Sequence, residues 1–346
     1  MATKQQGAQQ PSVRPVIAKV EPSAAITGGE LHIRGEHLAA AGRPTVRLGN
    51  QNAHLVVAGD SYIVARVPES AIVGEVQVST GNSASATVET HLGIQIAESL
   101  HPVANPAVDR EGNVYTTFSG SRGQKAPVSI YKVDLSYNTR PFVTDLMNAT
   151  GLAFDREGIL YASSRHDGII YQITPGGNMS VYAEGMGVAT GIAFDRDENL
   201  YVGDRSGTIF KISRSRQIYV FATLEPSHAA YHLAFGPEDY LYVSGPTTSS
   251  FDAVHRISKA GEVETYFRGL GRPQGVAFDS EGRLYVAGSL AGRRGIIRFS
   301  QDRTPEQFLS GPSIVGLAFT PSRAMVVTTQ NALFRVDVGI AGWPLI

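Results

Sequence analysis

Cysteine is absent from all 346 residues, and that absence excludes disulfides, thiolate catalysis and cysteine-ligated metals together. An excess of either charge is also missing. The 30 Lys and Arg against 31 Asp and Glu leave a net charge of −1, which gives no pull toward nucleic acid or an anionic membrane. No apolar run approaches the ~18 residues of a spanning helix, so no membrane insertion is expected. The opening "MATKQQGAQQPSVRP" has no apolar segment of the secretory-signal kind. As written, the sequence reads as a soluble, cytoplasmic protein, with the periplasm or exterior open to it if a leader is removed. Residues 1–12 read as a polar, disordered tail. Helix-favouring Met (5) is scarce beside 37 Gly and 14 Tyr, a balance that leans toward turns and strands.

Several catalytic signatures are missing as well. No serine sits in a G-x-S-x-G frame, and H-E-x-x-H does not occur. "DRDEN" (Asp195 to Asn199) opens like a calcium loop, but Leu200 and Ser206 stand where Gly and Glu are needed, so it reads as a hairpin turn. "GMGVATG" (Gly185 to Gly191) has the wrong last spacing for a dinucleotide fingerprint and no helix pattern after it.

What the chain does hold is a repeat. "NPAVD" at Asn105, "GLAFD" at Gly151, "GIAFD" at Gly191, "HLAFG" at His232, "GVAFD" at Gly275 and "GLAFT" at Gly316 are spaced by 46, 40, 41, 43 and 41 residues. A period near 40 marks a repeat architecture. Each copy reads as four short antiparallel strands. In the second, "GLAF" leads through a "DREG" turn to "ILYASS", then "IIYQI", then "MSVYAE". That is the pattern of a β-propeller blade. The last copy has only three strands, whereas "GIQIA" from Gly93 aligns with a fourth, outer strand lying before the first full blade. Pairing of that strand near Leu333 to Asp337 would close six blades into a ring without edges.

Residues 13–90 have a different texture. Short alternating runs such as "VRLG", "YIVARV" and "EVQVST" are separated by Gly, Pro, Asn and Ser, which suggests a small β-sandwich. The expected fold class is therefore all-β: an Ig-like sandwich at 13–90 and a six-bladed propeller of four-stranded blades at 91–346.

Two resemblances follow from these residues. Pro15, Ile17, Pro22, Gly28, Gly29, Ile33, Gly35, Gly49, Pro68 and Gly74 make the first part similar to an IPT/TIG domain, which implies a spacer or recognition module. "GIAFDRDENLYVGDRSGTIFKI" resembles NHL repeats and, more widely, the gluconolactonase and streptogramin-lyase propellers, over roughly residues 93 to 340. In gluconolactonase-like relatives the residue before the Gly of the innermost strand often offers an oxygen to a central metal. Here those places hold Ala104, Thr150, Thr190, Tyr231, Gln274 and Val315, with no carboxylate among them. No metal or other cofactor is expected, and Ca²⁺ enters only under a lactonase reading.

The candidate site is the channel mouth beside those residues. Loops between second and third strands bring Arg122, Lys125, Arg165, His166, Arg205, Arg293 and Arg294, with Asp167, Asp204 and Asp252 against them. The best cluster is Arg165, His166, Asp204 and Arg205 with Tyr231 and His232; Thr150, Thr190 and Gln274 complete the candidate ligand-binding set. Arg clamps carboxylate or phosphate, and His shuttles protons. His232 stands where four other copies have Gly. Trp343, the single Trp, is expected to pack on the sixth blade or the interdomain seam. The favoured function is a non-catalytic recognition or scaffold protein binding a protein, glycan or small ligand. The alternative is a lactonase-like hydrolase or lyase with His232, His166 and Asp204 as catalytic residues.

Overall fold

A computed structural model describes residues 13–118, 120, 126–247 and 252–343, and among these there is no helix. Arg122, Lys125 and the tail 1–12 lie outside the described residues. The chain divides into two compact units, 1–93 and 94–346.

In the first unit, Val16–Glu21, Glu30–Glu36, Tyr62–Arg66 and His54–Ala58 form one antiparallel sheet. A second contains Val88–Glu89, Glu75–Thr80, Thr45–Leu48 and Gln51–Asn52. Alternation puts Leu31, Ile33, Ile63 and Ala65 of one sheet against Val46, Leu48, Val76 and Val78 of the other in a single core. The unit extends to Gly93 because His91–Leu92 pairs in parallel with Ala24–Ala25.

In the second unit, six successive antiparallel sheets each begin with a strand of the repeat. These leading strands are Ala107–Val108, Ala149–Phe154, Ala189–Phe194, His232–Phe235, Val276–Asp279 and Ile314–Phe319. Each touches the next, and the last touches the first. Ile94–Ala97 pairs with Leu333–Val336, Gln95 opposite Phe334, as the outer strand of the sixth sheet.

The repeated residues explain both the sheets and their junctions. Asp195 Oδ1 accepts the backbone N–H groups of Asp197 and Asn199 at 2.9 and 2.8 Å, which fixes the hairpin. Its other oxygen accepts from Asn199 Nδ2 at 2.8 Å and from the Tyr201 hydroxyl at 3.2 Å. Those bonds consume the carboxylate that resembled a calcium ligand. The Tyr201 ring then meets Phe235 of the following sheet edge-on, with centroids 4.9 Å apart. The same Tyr–Phe contact joins Tyr115 to Phe154, Tyr161 to Phe194, Tyr242 to Phe278 and Tyr285 to Phe319. At the remaining junction, Val326 of the sixth sheet packs with Val108 and Val114 of the first.

Two expectations are corrected. Arg293 and Arg294 stand in a strand, Arg293–Phe299, because Ala291 and Gly292, both at positive φ, make a two-residue turn. Trp343 pairs with Phe278 of the fifth sheet, and Gly342 pairs with Asp279. That strand fits because Gly342, lacking a Cβ, lies flat on Phe319; a Cβ there would stand 2.4 Å from the Phe319 Cβ.

Candidate functional site

At their starts the leading strands approach one another closely. At Gly191 an added Cβ would lie 2.3 Å from Tyr231 O, and at Gly316 one would lie 2.6 Å from Ala104 O. Backbone bonds cross the junctions here: Gly191 N–H donates to Tyr231 O (2.9 Å) and Gly275 N–H to Val315 O (3.1 Å). Asn105 fills the place of a Gly and ties two sheets, donating to Val276 O at 2.7 Å and accepting from Leu317 N at 3.1 Å.

Most of the candidate polar groups at this end are committed to the scaffold. Thr150 Oγ1 donates to Asn148 O at 3.0 Å, and Thr190 Oγ1 donates to Gly203 O at 2.8 Å. The Tyr231 hydroxyl donates to Glu225 O, and burial pushes its pKa up to about 12. Asp204 accepts from Val188 N at 2.9 Å and from Ser206 Oγ at 2.5 Å. Arg205 spends its guanidinium on Ser227 O and His228 O, and Arg165 donates to Gly120 O at 2.9 Å. Asp252 accepts from Thr247 N at 3.0 Å. His166 is exposed, and Gln274 is half-buried with its backbone bonded to Ala287 and Ser244. A calcium ion would find no carboxylate among Ala104, Thr150, Thr190, Tyr231, Gln274 and Val315, and both threonine hydroxyls already point at carbonyls. These residues do not fit the metal.

The large cavity lies toward the other ends of the leading strands. It holds about 630 Å³, within the range of small-molecule pockets. Its wall is set by one residue from each copy: Ala107, Ala153, Ala193, Ala234, Ala277 and Ala318 all line it. Alanine is the one position of the repeated pentapeptide held in all six copies. A methyl group is the smallest side chain that still covers the strand, so this ring keeps the centre open. Phe154, Phe194, Phe235 and Phe319 follow, then Trp343. Among the described residues, each leading strand has only one edge paired within its own repeat, apart from the fifth, where Gly342–Trp343 adds to the other side.

The cavity's rim is charged but internally balanced. Arginines follow the turn Asp in the first three copies, and each reaches the next turn. Arg110 donates to Arg156 O, Arg156 pairs with Glu198 at 3.2 Å, and Arg196 pairs with Asp239 at 2.9 Å. Arg196 also lies over the Trp343 ring, 5.3 Å from its centroid. Three arginines therefore face Asp155, Asp195, Glu198 and Asp239.

Of the nine candidate ligand-binding residues named from the sequence, only His232 lines this cavity. It is 3 % exposed, and among the described residues no protein group hydrogen-bonds its ring. Burial lowers its pKa from 6.5 to about 4, so the imidazole is neutral at pH 7. An unfolded chain protonates this histidine near pH 6.5, whereas the folded one resists down to about 4. Its contribution is thus complete above pH 6.5 and is lost as pH falls toward 4. The loss is expected to reach about 3 kcal/mol, and His232→Gln should flatten that part of the urea-midpoint profile.

The sequence carried two signals for this region, the six-fold Ala and the Asp-Arg pair of the first three copies. Both belong to segments that also build hairpins, and the polar loops at the opposite ends drew the site assignment instead.

The comparisons with known proteins agree with this architecture. Residues 15–94 match the IPT/TIG domain family. No curated protein matches the chain in sequence. Among solved structures it is similar to a gluconolactonase from Xanthomonas campestris, at 13% identity over 71% of this chain and 89% of the other, TM-score 0.57. An auxiliary nutrient binding protein from Bacteroides thetaiotaomicron aligns at 12% identity over 95% and 99%, TM-score 0.55. A virginiamycin B lyase from Staphylococcus aureus, solved with quinupristin, aligns at 15% over 85% and 99%, TM-score 0.53. At such identities the likeness concerns fold alone. The chain carries an IPT/TIG domain followed by a propeller with a gluconolactonase-like fold.

Proposed function

We propose that the six sheets form a six-bladed propeller, closed by Ile94–Ala97, that serves as a non-catalytic module binding a small molecule in its central cavity. The observation that carries this reading is the six-fold alanine wall, which holds open about 630 Å³ beside apolar and aromatic side chains. The closed ring end supports binding over metal-dependent hydrolysis, because its oxygens are engaged with backbone groups. It also moves the binding place from the loops around Arg165 and Arg205 to the ends of the leading strands.

Nile red, an uncharged apolar dye, tests the placement. Ala277→Phe is expected to weaken its binding at least about tenfold by filling the cavity, while Arg205→Ala and His166→Ala leave it unchanged. Added calcium should alter neither the dye titration nor the melting temperature. Loss of dye binding in Arg205→Ala or His166→Ala, with Ala277→Phe unaffected, would return the site to the loops.

A further inference from the structure

Resting on that cavity reading, we infer that the ligand is an uncharged, largely aromatic or aliphatic molecule bearing a hydroxyl or carbonyl group, which it presents to His232 at the closed end. Three observations converge. The wall is apolar, made of alanines and the rings of Phe154, Phe194 and Phe235. His232 lines the inner end, 3 % exposed, and among the described residues its ring has no protein hydrogen-bond partner, so its polar edge is left to the cavity. Asn105, the other polar side chain there, has both ends occupied by backbone.

The charge at the outer end argues against an anion. Arg156 and Arg196 already pair with Glu198 and Asp239, and four carboxylates stand against three arginines. A charged ligand head would leave Arg110, the rim arginine bonded to the Arg156 carbonyl, behind it on entering the apolar tube, a costly transfer. A neutral imidazole can donate from one ring nitrogen and accept at the other, so it suits either a hydroxyl or a carbonyl. From His232 to the rim the strand runs through four residues, about 13 Å at roughly 3.3 Å per residue. The tube therefore accepts an elongated molecule.

Calorimetric titration of the full chain with naphthol, naphthalene and naphthoate at pH 7 tests the inference. Naphthol should bind about fivefold more tightly than naphthalene, the net effect of one added hydrogen bond. Naphthoate should bind at least about tenfold more weakly than naphthol. The hydroxyl preference should vanish in His232→Phe and return in His232→Gln, which keeps a donor and an acceptor. Circular dichroism on each variant separates a lost preference from a lost fold. Equal binding of naphthol and naphthalene, a preference that survives His232→Phe, or tightest binding of naphthoate would overturn this ligand class while leaving the cavity site standing. Failure of all three probes, and of Nile red, would overturn the cavity reading itself.

Discussion

Gly191→Ala is expected to destabilise the propeller by about 4 kcal/mol or more, an exceptional loss for one methyl group. The reason is space rather than backbone angle, since Gly191 does not occupy the left-handed region. An added Cβ would sit 2.3 Å from Tyr231 O and 3.0 Å from His232 Cα, and both neighbours are backbone of the next leading strand. Moving them means opening the junction that the Gly191–Tyr231 hydrogen bond holds. Gly158→Ala is the informative control. Gly158 has φ +80° and nothing within 4 Å of an added Cβ, so only the conformational cost remains, about 1–2 kcal/mol. Urea unfolding followed by circular dichroism should separate the two clearly. A Gly191→Ala protein as stable as the Gly158→Ala one would mean that the leading strands do not close as described.

The second large effect belongs to the repeated tyrosine. Tyr201→Ala should cost about 3–5 kcal/mol, because it empties a well-packed position between two sheets. The ring is buried with Ile209, Leu233 and Val243 and meets Phe221 as well as Phe235. Tyr201→Phe keeps the ring and removes only the hydroxyl bonded to Asp195, so about 0.5–1.5 kcal/mol is expected. Burial and the neighbouring Asp195 both push the Tyr201 pKa upward, so the hydroxyl stays protonated across the working pH range. Similar losses for the two variants would show that the hydrogen bond, not the edge-on ring packing, joins the sheets.

These two residues also mark how much could be read from the sequence. The copies of "GLAFD…LY" announced the sheets because strand alternation and the Asp–Gly turn are local, and the Tyr–Asp bond spans only six positions. The throat was half legible. Gly151, Gly191, Gly275 and Gly316 recur visibly, but their purpose is a contact between strands some forty residues apart. Thr150 and Thr190 looked available as ligands because sequence does not reveal that their hydroxyls bond Asn148 and Gly203 carbonyls. His232 was noticed as an irregularity, and its burial explains the depressed pKa. The alanine wall escaped notice because an alanine in an apolar strand looks like packing. Only the meeting of the six strands around one cavity turns it into the lining of an opening.

On this reading, ligand enters the cavity at the ends of the leading strands. A crystal grown with bromonaphthol tests it most directly, since anomalous scattering marks bromine wherever the molecule settles. A single strong peak is expected among Ala153, Ala193, Ala234 and Ala277, with the naphthol oxygen toward His232. A peak instead among Arg165, His166, Asp204 and Arg205, with an empty alanine ring, would contradict it.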